Sequence, residues 1–393
     1  MKKWLILSFI ILNSIVTACA TGESPVRSGA ERLDHYLPLI AGKQIALVAN
    51  HTSLVGGKHL VDTLLASGID RDQIVKVFAP EHGFRGDQAA GVQIEDGTDP
   101  LTGIAVASLY GSHKKPGPEA LEGIELMIFD LQDVGSRFYT YISTLHYVME
   151  ACAENHIPLL LLDRPNPNGG FVDGPVLDTA FSSFVGMHPI PVVYGLTIGE
   201  LSGMINGERW LNQGISCEVT VIPCEAYKHG QPYSMPVRPS PNLPNDHAVL
   251  MYPSTCFFEG TVLSEGRGSD KPFEAYGHPE LSGKYSFIPR SIPGVARNPK
   301  FEGKLCYGAD LSTFYPEEGW TRLQLRFLLE AYEFFPRKEE FFTSYIDKLA
   351  GTDNLRKQIE AGWDETRIRA SWEQGLAQYK EIRKKYLIYD DNE

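Results

Sequence analysis

The sequence predicts an α/β protein whose first domain is a parallel sheet covered by helices on both faces. Strand-length apolar runs are continuous rather than alternating: IALVAN (45–50), IVKVFAP (74–80), AVASLY (105–110), LMIFDLQ (126–132) and PLLLLDR (158–164). Such runs mark strands buried on both sides. Helical patterns separate them, and HLVDTLLASGI (59–69), STLHYVMEACAENHI (143–157) and LTIGELSGMINGERWL (196–211) place apolar residues at i, i+3, i+4 and i+7. Alternating strand and helix is the pattern of a parallel sheet with crossover helices. Each strand also ends in polar residues, and in open α/β sheets the ligand crevice lies outside the carboxyl ends. These ends should therefore converge on one site.

In chain order, residues 1–18 read as a leader. Lys2 and Lys3 precede an apolar stretch over 4–15 that is too short to span a membrane. Val16-Thr17-Ala18-Cys19 is similar to a bacterial lipobox, so Cys19 is expected to carry lipid and anchor the protein in the cell envelope, on the periplasmic or outer-membrane side. A tether over 19–30 then leads to a catalytic domain over 31–235. GPEALEGI (117–124) is a further helical candidate, and CEVTVIPC (217–224) a further strand of the sheet. Residues 228–248 are dense in Pro and turn formers and read as a linker that also borders the cleft. An auxiliary α+β domain over 236–393 follows, opening with YPSTCFFEGTVLSEGRGSDKPFEAYG (252–277). It closes in helices over 321–335 and 338–351 and one long charged helix near 363–386.

The chain is 43% hydrophobic and 22% charged with a formal charge of −13, a globular composition. Loss of Lys2 and Lys3 with the leader makes the body more acidic still. That leaves no electrostatic footprint for nucleic acid. Beyond Cys19 an odd set of cysteines remains (Cys152, Cys217, Cys224, Cys256, Cys306) without a CxxC, so they are expected to be small buried apolar residues. No GxSxG elbow, GxGxxG or Walker loop occurs, and no cofactor is implied. A metal-dependent hydrolase built on His51, His82, Asp87 and Asp130 is a rival reading, but no recognised metal spacing supports it.

The stretches FAPEHGFRG, DLQDVGSRFYTYISTL, DRPNPNGG, DGP, YGLTIGEL, PSPNLP and FEGTVLSEGRGSDKPFE resemble the NamZ (YbbC-type) exo-β-N-acetylmuramidases over roughly residues 33–389. The resemblance implies a Rossmann-like domain joined to a C-terminal auxiliary domain, with the active site in the cleft between them. It also implies a peptidoglycan-recycling glycosidase that releases N-acetylmuramic acid from the non-reducing ends of muramyl oligosaccharides. A non-catalytic glycan-binding lipoprotein would keep the same cleft and is the second rival.

Glycoside hydrolysis needs a carboxylic acid for the leaving oxygen, plus a base, a nucleophile or the substrate's own acetamido group. Glu81, at a strand end, is the expected acid, and His82 and Arg85 beside it are candidates for binding the substrate. Asp130, Asp133 and Glu265 are candidates for the second group, though either Asp also suits a role in the Asp-Val-Gly-Ser turn. A lactyl carboxylate calls for a guanidinium fork. Arg267, between two glycines, is the first choice, with Arg137 and Arg164 as competitors that have neighbouring aspartates to pair with. Asn50, Asn166 and Asn168 offer amides for sugar hydroxyls, and Tyr110, Tyr139 and Tyr194 offer rings for a pyranose. Glu200 opens a helix, where a carboxylate suits the dipole.

Overall fold

A computed structural model describes residues 25–81, 83–85, 96–111 and 113–391. The leader, Cys19, His82 and Asp87 lie outside the described residues. Seven strands form the main sheet: β1 (Ile45–Ala49), β2 (Ile74–Ala79), β3 (Gly97–Thr98), β4 (Ala105–Ser108), β5 (Leu126–Asp130), β6 (Leu159–Leu162) and β7 (Val219–Ile222). Their spatial order is β3-β4-β2-β1-β5-β6-β7. All neighbours are parallel except the short edge pair β3–β4, which the sequence did not signal. The strand order reverses between β1 and β5, the topological switch point of a doubly wound sheet.

Period-two alternation divides the strand residues between two cores. Ala46, Val48, Met127, Phe129, Leu159 and Leu161 face one. Ile45, Leu47, Ala49, Leu126, Ile128, Leu160 and Leu162 face the other. Continuous burial in sequence is thus two alternating faces, both covered. The first core continues into the second domain through Phe257, Phe258, Phe273, Phe335, Phe341 and Trp372, so the two domains share apolar packing.

The second domain carries a three-stranded antiparallel sheet of β8 (Ala275–His278), β9 (Tyr285–Phe287) and β10 (Cys306–Asp310), with β10 central. Its helices do not form one long charged rod over 363–386. Glu365–Ala370 and Glu373–Arg383 are separate helices, because Trp372 turns inward and is only 6% exposed. The 117–124 candidate is a short 3-10 turn, Pro118–Leu121, rather than an α-helix. All five cysteines beyond Cys19 are free and buried.

The expected tether over 19–30 is shorter than the sequence suggested. The Arg27 amide donates to the Glu225 carbonyl and the Gly29 amide to the Asp163 carbonyl. A Cβ on Gly29 would stand 2.2 Å from the Ile222 carbonyl oxygen, so only glycine lets the chain lie this close to the end of β7. At the other terminus the chain returns to the sheet domain. Tyr379 donates to the Tyr194 carbonyl, Arg383 to the Gly195 carbonyl and Tyr389 to Asp163. These contacts hold both walls of the cleft in one body.

Candidate active site

Glu81 follows β2 and Pro80 at the carboxyl edge of the sheet, next to the switch point. Its backbone is steadied from β1: the Asn50 amide donates to the Tyr141 hydroxyl at 2.6 Å, and that hydroxyl lies 3.5 Å from the Glu81 carbonyl. Its carboxylate meets the Thr140 hydroxyl at 3.5 Å, where Thr140 precedes the helix Tyr141–Glu154. Tyr110, just beyond β4, hydrogen-bonds the same carboxylate. Burial and then the negative charge of Glu81 push the Tyr110 phenol well above its ordinary pKa, so it stays a donor.

Glu81 opens onto a cleft of about 440 Å³ between the domains, shared with Tyr110, Tyr252, Glu265, Arg267 and Arg297. A narrow recess continues past Glu81 and Arg267 between Tyr139, Ser240, Leu243 and Phe273. Ser240 and Leu243 come from the Pro-rich linker, which borders the cleft as expected. Tyr139 lines the recess, and its hydroxyl donates to the Pro239 carbonyl at 2.7 Å.

The second domain supplies a charged cluster. Arg267 donates to Glu259 at 2.7 Å and stands 3.3 Å from one oxygen of Glu265. The other Glu265 oxygen is 3.4 Å from Lys300 Nζ and takes no hydrogen bond among the described residues. Gly266 and Gly268 bracket Arg267 at φ +81° and +78°. A Cβ would approach the Lys271 and Arg290 carbonyl oxygens to 2.4 and 2.5 Å, so this loop requires glycine at both positions. Phe273, whose ring lies 4.9 Å from the Arg267 guanidinium, is a non-glycine residue at φ +59°. Backbone strain of this kind persists where the surrounding structure over-determines it, commonly at ligand sites.

Several expected residues lie elsewhere. Asp130 and Arg164 pair with each other at 2.6 and 3.0 Å, fully buried. They stand at the ends of adjacent strands, so each satisfies the other and neither reaches the cleft. Asp133 is buried and accepts from the Gly135 amide at 2.6 Å and from the Tyr194 hydroxyl. Burial raises its pKa to about 7, and it is not among the residues that line the cleft. Arg137 is wholly buried and donates to four backbone carbonyls (Pro175, Ile190, Leu349, Ala350). Arg85 pairs with Asp62 and Asp99. Asn50 braces Tyr141, while Asn166 and Asn168 bond backbone groups of their own loop and its neighbours. Glu200 completes the Thr197 capping box and accepts from His229.

Glu259, Arg297, Lys300, Thr140, Tyr252 and Tyr345 line the cleft without having been singled out. Glu259 and Tyr252 lie in the segment that opens the second domain, and that motif was the one available signal. Arg297 and Lys300 sit in an irregular stretch where no periodicity shows which side chains face inward.

A doubly wound α/β domain, closed by an α+β domain over a cleft lined by carboxylates, tyrosines and arginines, has the architecture of a two-domain enzyme with an interdomain site. Comparison with known proteins makes the class specific. Residues 45–247 match the family model described as exo-beta-N-acetylmuramidase NamZ, N-terminal, and residues 250–389 match its C-terminal counterpart. The chain belongs to this family. It is 38% identical over 395 residues to the peptidoglycan beta-N-acetylmuramidase NamZ of Bacillus subtilis (strain 168), covering 94% of this chain and 93% of that one. Crystal structures of two DUF1343 family proteins from Bacteroides fragilis share the fold. One has a TM-score of 0.86 at 46% identity, covering 94% of this chain and all of that one. The other has a TM-score of 0.77 at 26% identity, covering 93% and 99%.

Proposed function

We propose that the protein is an exo-acting β-N-acetylmuramidase that releases N-acetylmuramic acid from the non-reducing ends of peptidoglycan fragments during cell-wall turnover. The observation that carries the reading is Glu81. It is a carboxyl group on the cleft, held by Thr140 and Tyr110, facing a second carboxylate cluster supplied by the other domain. Glu81 delivers a proton to the glycosidic oxygen as the bond to the anomeric carbon breaks. Hydrogen bonds from Thr140 and Tyr110 then meet the carboxylate left behind. They serve the state formed during reaction, which is where stabilisation accelerates a step.

Glu265 is ion-paired to Arg267 and Lys300. It suits the base or nucleophile of the two-carboxylate scheme. The acetamido group of the sugar is the alternative nucleophile. The test is hydrolysis of a chromogenic β-N-acetylmuramic acid glycoside beside its N-acetylglucosamine counterpart. Release from the muramic substrate alone is expected. Binding of muramic acid without release from either would make the protein a glycan-binding module instead.

The same proposal places the protein on the cell envelope through lipid on Cys19. Its support is the basic, apolar and lipobox-like order of residues 1–19. The described residues contain no helix long and apolar enough to cross a membrane. Cys19→Ala is expected to move the protein from the membrane fraction to the supernatant. Unchanged membrane association in the variant would contradict the anchor.

A further inference from the structure

We propose that Arg297 is the cation that reads the lactyl carboxylate of the muramic acid ring, the group that distinguishes it from an unsubstituted N-acetylhexosamine. The inference rests on the muramidase reading and assigns its specificity to one side chain. Among the described residues, three cationic side chains line the cleft: Arg267, Arg297 and Lys300. Two are committed. Arg267 is held by Glu259 and Glu265. Lys300 donates to the carbonyls of Phe258, Thr261 and Leu263 at 2.9–3.1 Å and faces Glu265. The two cations are matched by the two carboxylates, so an incoming anion beside Arg267 would meet Glu259 and Glu265 at close range. Repulsion of that kind disfavours the ligand there.

Arg297 differs. It is exposed on the cleft wall and makes no ion pair or side-chain hydrogen bond among the described residues. Its backbone is nevertheless fixed. The Ala296 and Ile292 amides bond each other's carbonyls, and Asn242 of the linker donates to the Val295 carbonyl at 2.9 Å. Buried Pro299 and the anchored Lys300 follow. A free guanidinium on a fixed segment, in a cleft whose other described cations are neutralised, is available for a carboxylate, and its fork matches carboxylate geometry in two parallel hydrogen bonds.

The experiment compares wild type, Arg297→Ala and Arg297→Lys on the chromogenic muramic glycoside and on its lactyl methyl ester, in the full chain from residue 20. Arg297→Ala should raise KM for the acid substrate about tenfold, the scale of one charge-assisted contact, with a smaller change in kcat. Arg297→Lys should recover part of the loss. Esterification should weaken the wild type by a similar factor and Arg297→Ala hardly at all. The inference is overturned if Arg297→Ala leaves KM for the acid substrate unchanged, or if the ester penalty persists in full in that variant. Wild-type inactivity on both substrates would instead remove the muramidase reading itself. Because the wild-type comparison of acid with ester needs no variant, equal turnover of the two also overturns the inference even if a variant misfolds.

Discussion

Glu81→Gln is expected to lower kcat/KM on a β-N-acetylmuramic acid glycoside by about 10²–10⁴-fold, the usual contribution of a positioned general acid. Binding of free N-acetylmuramic acid should change little. The amide has the shape of the carboxyl and its oxygen still accepts from Thr140 and Tyr110, so the cleft keeps its form and loses only its proton. Steady-state kinetics beside calorimetric titration with the free sugar separates the two effects. A parallel loss of binding would mean that Glu81 holds the sugar or the loop rather than the proton.

Arg137→Met is expected to destabilise the protein by about 3 kcal/mol or more, the largest structural effect foreseen for a single side chain. The guanidinium joins the carbonyls of Pro175 and Ile190 in the first domain to those of Leu349 and Ala350, at the end of the helix Tyr345–Ala350, in the second. Ile190 keeps a second donor in the Leu177 amide. The other three carbonyls lose their partner, and a buried unsatisfied group costs about 1–3 kcal/mol. Relief of the buried charge offsets part of this. Denaturant unfolding measures the change, and the fraction that remains folded should keep the wild-type KM. A variant as stable as wild type would show that water or backbone movement satisfies those carbonyls. A selective rise in KM would return Arg137 to the substrate.

The parallel strands were legible because burial on both faces leaves long apolar runs, and six of the seven strands stand where those runs lie. The two-residue edge strand Gly97–Thr98 has no such run, and the turn at Trp372 lies inside a stretch whose charge pattern reads as one helix. The site was legible in part. Glu81, Tyr110, Tyr139, Glu265 and Arg267 line the cleft or its recess, since strand ends and a glycine-bracketed arginine are features a sequence displays. Partner choice is not displayed. Nothing local says that Arg164 takes Asp130 across two strands rather than the adjacent Asp163, or that Arg137 spends its donors on carbonyls more than 200 residues away in sequence instead of on a ligand. Arg297 was hidden for the converse reason. Its importance lies in having no partner among the described residues while its neighbours in the cleft are occupied.

The proton-donor role of Glu81 is tested most directly by a leaving-group series. Wild type and Glu81→Gln would be compared on aryl β-N-acetylmuramic acid glycosides whose phenols span a wide range of acidity. A poor leaving group needs the proton, whereas a strongly acidic phenol departs without it. The account predicts a large defect for the least acidic phenol that shrinks steadily toward wild-type rates as the phenol becomes more acidic. A defect of the same size across the whole series would contradict it, and would leave Glu81 as a residue that shapes the cleft without donating the proton.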